Sequence, residues 1–224
     1  MIFWFFATII YDKTRVMRKF LKDSVPQPID IQKLIEKLEE LTLHPYQKLV
    51  VEIGCGVGLH PLQYALNHPD HFMIAFEHTR EKFEKFERRI QNHKHLPNLM
   101  AIHGNAISWI CHGIKNASLD AVYLLYPNPN PKPSDLNKRW HAMPFMSEIL
   151  RVLKDQGELI IATNEKVYAL EALEWMTNEW KCQLIEQREL SMDLTPEWKA
   201  RTHFEKKYLA RGETCFNLRF RKTP

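Results

Sequence analysis

Leu49-Val50-Val51-Glu52-Ile53-Gly54-Cys55-Gly56-Val57-Gly58 is the stretch that decides the fold. A short apolar run that stops at glycines reads as a buried strand followed by a tight turn. Glycines let the backbone turn sharply and approach a ligand closely. A helix entered from such a turn directs its first N–H groups at an anionic group. Working outward, residues 61–67 read as that helix and residues 72–76 as a second apolar strand, closed by Glu77. Residues 80–92 place Phe83, Phe86 and Ile90 on one helical face, which makes them core. Strands are expected at 99–102, 119–126 and 158–162, and helices near 145–153 and 167–176. Two β-like segments follow near 182–185 and 215–220, and upstream residues 29–41 carry a helical stripe of Ile31, Leu34, Ile35, Leu38 and Leu41. Strands alternating with helices, each strand nearly continuous in apolar residues, argue an α/β fold with a parallel sheet covered on both faces.

The chain has 224 residues, 45% hydrophobic and 26% charged. That balance excludes disorder, collagen-like repeats and coiled coil as the main organisation. The expected division is an N-terminal extension, 1–28, carrying a basic segment, then one domain over 29–224. Cysteines 55, 111, 182 and 215 form no C-x-x-C pair, which argues against a zinc ribbon or a disulfide framework and for a reduced, cytoplasmic setting. No metal site is expected: His93 and His95 stand one residue apart, but no third ligand accompanies them. Trp175 and Trp180 read as packing residues. The net charge of +4 is unevenly spread, with +5 over residues 13–22, +6 over 199–224 and −7 over the rest. Basic ends on an acidic body favour a phosphate-rich partner such as RNA. The opening Met1-Ile2-Phe3-Trp4-Phe5-Phe6-Ala7-Thr8-Ile9-Ile10 is too short to span a bilayer, which takes roughly 20 apolar residues. It reads either as a buried strand or as an upstream start with the natural chain beginning near Met17, and no membrane partner is expected.

Candidate chemistry gathers at the carboxyl edge of the sheet, where open α/β folds bind ligands. The glycine spacing is G-x-G-x-G, not the dinucleotide G-x-G-x-x-G, which disfavours an NAD enzyme. Glu77 can accept from both hydroxyls of a ribose. In Gly104-Asn105-Ala106 an amide side chain or backbone N–H can meet an adenine edge. Gly54, Gly56 and Gly58, then Glu77, then Asn105 and Ala106 look, in this order, like the S-adenosylmethionine site of class I methyltransferases, with Glu52 beside the methionine end.

The fourth strand ends in Tyr126-Pro127-Asn128-Pro129-Asn130-Pro131-Lys132, followed by Asn137-Lys138-Arg139-Trp140. Near the C-terminus come Thr202-His203-Phe204-Glu205-Lys206, Gly212 and Asn217-Leu218-Arg219-Phe220. Over roughly 48–222 the chain here resembles the bacterial tRNA (guanine-N7-)-methyltransferase family, which has a P-D-P-W-x-K loop and a C-terminal T-x-F-E element. The resemblance implies a Rossmann-like class I fold with a mostly parallel seven-stranded sheet and helices on both faces. It implies S-adenosylmethionine as cofactor and tRNA as partner; the oligomeric state, monomer or homodimer, stays open. Glu52, Glu77 and Asn105 match cofactor positions of that family. Lys132, Asn164 and Thr202, His203, Phe204 and Glu205 match positions that hold the substrate nucleotide, and Asn128 matches the aspartate given the catalytic role. Two family carboxylates are amides here, Asn128 and Asn164, and the loop tryptophan is Asn130.

Guanine N7 carries a lone pair and no proton, so its methylation needs no general base. Positive charge nevertheless develops on the base, which a carboxylate at position 128 would stabilise better than an amide. Glu205 is expected to accept from the guanine N1–H and N2–H₂ edge, or else to form a simple salt bridge with Lys206, Lys207 or a terminal arginine. Two other readings stay open: a divergent methyltransferase acting on another nucleotide or small molecule, and a cofactor-binding RNA module with little catalysis.

Overall fold

Apolar runs become strands and striped segments become helices, in the order α1 Ile31–Leu43, β1 Lys48–Ile53, α2 Leu59–Asn67, β2 His71–Glu77, α3 Arg80–Asn92, β3 Leu99–His103, α4 Ala106–Gly113 and β4 Leu119–Leu125. The second half continues α5 Met146–Val152, β5 Leu153–Thr163, α6 Lys166–Glu174, β6 Gln183–Leu190, α7 His203–Ala210 and β7 Cys215–Arg221. This is a computed structural model describing residues 18–43, 45–93, 96–193, 195 and 197–223. His95, Arg15 and the apolar first ten residues lie outside the described residues.

One sheet runs β3-β2-β1-β4-β5-β7-β6. The first five strands are parallel, and β7 inserts antiparallel between β5 and β6. The chain leaves β1 toward β2 on one side, whereas β4 lies on the other. The carboxyl ends of β1 and β4 therefore flank a switch point, where an open sheet leaves a crevice.

Successive strand side chains point to opposite faces, and two cores follow. Val51, Ile53, Ile74, Phe76, Val122, Leu124, Leu159 and Ile161 pack with residues of α1, α4, α5 and α6. Val50, Met73, Ala75, Ala121, Leu125, Ile160 and Ala162 pack with Phe86 of α3 and Tyr64 of α2. Glu52 and Glu77 follow Val50 and Ala75 of this second set by two residues and so share its face. Phe86 is fully buried; Phe83 and Ile90 are half-buried. All four cysteines are buried and free.

Candidate active site

The glycine turn after β1 is tied to β2 by its backbone. The Gly54 and Cys55 N–H groups donate to the Phe76 carbonyl at 2.8 and 3.0 Å. The Gly56 N–H donates to Glu77 Oε2 at 2.8 Å and the Thr79 N–H to Glu77 Oε1 at 2.7 Å. Glu77 is thus a buried carboxylate that shapes the turn and keeps a further acceptor position on each oxygen. Gly58 has φ +75°, and a Cβ there would lie 1.8 Å from the Phe86 ring, so the turn and α3 meet with no room for a side chain. At Gly54 and Gly56 a Cβ would touch nothing within 4 Å, leaving a shelf of bare backbone beside an acid. Shelf and carboxylate together fit a nucleoside ligand.

Glu52 is buried and its Oε2 lies 2.7 Å from Nδ1 of buried His60 at the start of α2. Sequence reasoning missed His60, since eight residues across a turn leave no periodic signal. Asn105 spends its side-chain oxygen as the cap of α4, accepting from the Ile107 N–H at 3.1 Å, and Ala106 is buried behind it.

Thr202-His203-Phe204-Glu205 opens α7. The Thr202 hydroxyl accepts from the Glu205 N–H at 3.0 Å, a T-x-x-E helix start that the sequence spells out. The Glu205 side chain, however, turns inward and is fully buried. Its Oε1 accepts from the Tyr126 hydroxyl at 2.8 Å and from Arg201 Nη2 at 3.0 Å, and its Oε2 from the Arg201 N–H. Burial alone would raise this carboxyl, but the Arg201 charge and the hydrogen bonds hold it below the ordinary range. The protein's own donors thus engage this carboxylate, and its cation partner is Arg201 rather than Lys206 or Lys207. His203 and Phe204 point outward. Phe204 stacks on Tyr208 at 6.2 Å, and Tyr208 lies 5.7 Å from Tyr126.

The proline loop sits beyond the carboxyl end of β4. Asn128 is exposed, and its side-chain oxygen accepts from the Asn130 N–H at 3.1 Å in a local turn. Behind the loop, buried Arg139 donates to the Pro129 carbonyl at 2.8 Å and the Asn130 carbonyl at 3.3 Å, and pairs with Glu171 of α6. A buried guanidinium inside a basic run could not be told from a solvated one by sequence. Lys132 is exposed, and Asn164, just past β5, donates to Glu213 Oε2 at 3.0 Å.

A cleft of about 140 Å³ joins these parts. Glu52, Gly54, Gly56 and His60 line one wall, and Thr202, His203 and Phe204 the other, with Lys82 and Leu125 between. Gly58, Glu77, Asn105, Ala106, Asn128, Lys132, Asn164 and Glu205 do not line this cleft, although Glu77 is tied to it through the Gly56 N–H. The basic C-terminal segment is less free than its charge suggested. Arg219 and Arg221 pair with Glu158, Lys222 with Asp155 and Arg201 with Glu205. Placing β7 between β5 and β6 sets Arg219, Arg221 and Lys222 against the acids of β5.

The model of the family Methyltransf_4, described as "Putative methyltransferase", matches residues 46–218. The chain belongs to this methyltransferase family. A tRNA (guanine-N(7)-)-methyltransferase of Nitrosomonas eutropha is 29% identical over 173 residues, covering 77% of this chain and 75% of the relative. One of Bartonella quintana is also 29% identical, over 77% and 74%. Among solved structures, the 16S rRNA methyltransferase KamB superposes with a TM-score of 0.64 at 18% identity, covering 93% of this chain and all of that one. An antibiotic-related methyltransferase gives 0.58 at 15%. The methyltransferase has the fold of the class I, S-adenosylmethionine-dependent enzymes.

Proposed function

We propose that this methyltransferase transfers the methyl group of S-adenosylmethionine to N7 of a guanine in tRNA, in the cytoplasm. One observation supports the reading: Thr202, His203 and Phe204 at the start of α7 line one cleft with Glu52, Gly54, Gly56 and His60 around the glycine turn. The names of the curated relatives support the substrate. Among the described residues no helix is long and apolar enough to cross a membrane.

In this reading Glu77 takes the ribose hydroxyls, Gly54, Gly56 and Gly58 give the backbone close approach, and Asn105 and Ala106 border the adenine. Glu52, held by His60, faces the amino-acid end. When bound, S-adenosylmethionine supplies an electrophilic methyl group on a sulfonium. The protein's task is to hold the base in line with it, since alignment at near-attack distance supplies much of such an acceleration. Phe204 offers a face to the base, and Lys132 and Asn164 border the nucleotide. Glu205 acts from behind by fixing the start of α7. Asn128 occupies the position beside the developing charge. Its engagement in a turn favours a second reading, in which the chain binds RNA and cofactor and transfers slowly.

The test is methyl transfer from labelled S-adenosylmethionine to unmodified tRNA, followed by digestion to nucleosides. Label in 7-methylguanosine is the expected result. Label in another nucleoside, or none under single-turnover conditions, would overturn it.

A further inference from the structure

On α3, Lys82 and Arg89 stand seven residues apart, two turns and about 10.5 Å along the axis, on the stripe that carries Phe86. Because Phe86 fills the space beside Gly58, this stripe is fixed against the cofactor turn. Arg80 and Lys85 of the same helix pair with Glu84 and Glu81, whereas among the described residues no carboxylate pairs with Lys82 or Arg89. Both instead face the start of α7. Lys82 Nζ lies 6.0 Å from the centre of the Phe204 ring. Arg89 Nη2 lies 3.0 Å from His203 Nε2. A guanidinium only donates, so this nitrogen of His203 accepts and the ring is neutral. Burial, then the charges of Arg89 and Lys206, push the His203 imidazole below its ordinary pKa. Lys82 and His203 line the cleft, and Arg89 stands beside His203; neither cation has an ion-paired carboxylate among the described residues, although Lys82 lies near enough to Glu81 to lower its pKa.

Resting on the tRNA reading, we propose that Lys82, Arg89 and His203 form a phosphate-binding site that takes two backbone phosphates of the RNA strand beside the target nucleotide. A phosphate at Arg89 takes over the guanidinium donors and places an anion next to His203, whose ring then gains a proton and a second N–H donor. The groups around His203 are Lys82 and Arg89 from α3, Lys206 from α7, and Glu52 and His60 on the far wall of the cleft. Glu205 is turned away toward Arg201 and Tyr126. Binding raises a pKa that lies low in the free protein. RNA affinity should therefore rise as pH falls through the window between the bound and free values, by about tenfold per pH unit at most.

The experiment measures binding of unmodified tRNA between roughly 50 and 200 mM salt. It compares the wild type, the double variant Lys82→Gln/Arg89→Gln, and Lys33→Gln on the exposed side of α1 as a control, with thermal midpoints confirming that each is folded. Losing two phosphate contacts should lower the slope of log affinity against log salt by about 1.4 to 1.8, with Lys33→Gln unchanged. His203→Gln keeps an acceptor for Arg89 but cannot protonate, so it should flatten the rise in affinity between about pH 8 and about pH 6. A wild type that methylates tRNA, with an unaltered slope in the double variant or no pH dependence for His203→Gln to remove, overturns this site and leaves the function standing. A wild type that neither binds nor methylates tRNA overturns the function and the site with it.

Discussion

At Glu77 two backbone N–H groups take one acceptor position on each oxygen, leaving one per oxygen for a ribose. Glu77→Gln puts an NH₂ group against one of those N–H donors and removes the charge. Bonds to charged groups are worth about 1.5–3 kcal/mol each, so S-adenosylmethionine affinity by calorimetry should fall by at least about tenfold. Unchanged affinity would move the ribose elsewhere. Asn128 is the converse case, an amide where charge develops. Aspartate can accept from the Asn130 N–H as asparagine does, so Asn128→Asp should keep the turn and raise the single-turnover methyl-transfer rate with little change in cofactor affinity. A neutral or harmful effect would show that the loop works by positioning alone. Glu52, Glu77 and the glycines were legible because strand-end acids and glycines carry a positional meaning of their own. His60 and Arg139 were not, because each gains its role from a partner that only the folded chain brings near.

The T-x-x-E start of α7 is worth testing as an element. Thr202→Ala removes the cap and should cost about 0.5–2 kcal/mol in urea unfolding, loosening the cleft wall that His203 and Phe204 form. Glu205 adds a pH signature. Its folded-state pKa is held below the ordinary 4.5, so its contribution is complete above that value and is lost as pH falls through the folded-state value. Urea midpoints should therefore decline below about pH 4.5 in the wild type. Glu205→Gln, which leaves Arg201 without its counter-charge, should be less stable at neutral pH and decline less steeply; parallel curves would contradict this. At Gly58 both the positive φ and the Phe86 contact bar a side chain. Gly58→Ala should therefore destabilise by more than the roughly 1 kcal/mol of an ordinary glycine effect. Helix α4 escaped sequence reading because its eight residues are too few to show a periodic stripe, although Asn105 announces it as a cap. β5 runs back to Leu153, through residues whose polarity hid the strand.

Across the whole molecule, the parallel sheet with helices on both faces was legible in the alternation of apolar runs and stripes. Insertion of β7 between β5 and β6 was not, since strand order depends on contacts distant in sequence. That insertion pairs much of the basic C-terminus with acids and shifts the candidate RNA surface to α3 and the start of α7. The same long-range assembly brings residues 52–60 and 202–204 to one cleft. The account stands on that meeting of the two segments, and backbone hydrogen exchange tests it with S-adenosylhomocysteine and unmodified tRNA added singly and together. The account predicts protection of residues 54–59 and 77–79 by the cofactor product, and protection of 202–206 when tRNA joins it. Cofactor protection confined to segments away from the glycine turn, or tRNA protection that leaves 202–206 unchanged, would contradict it.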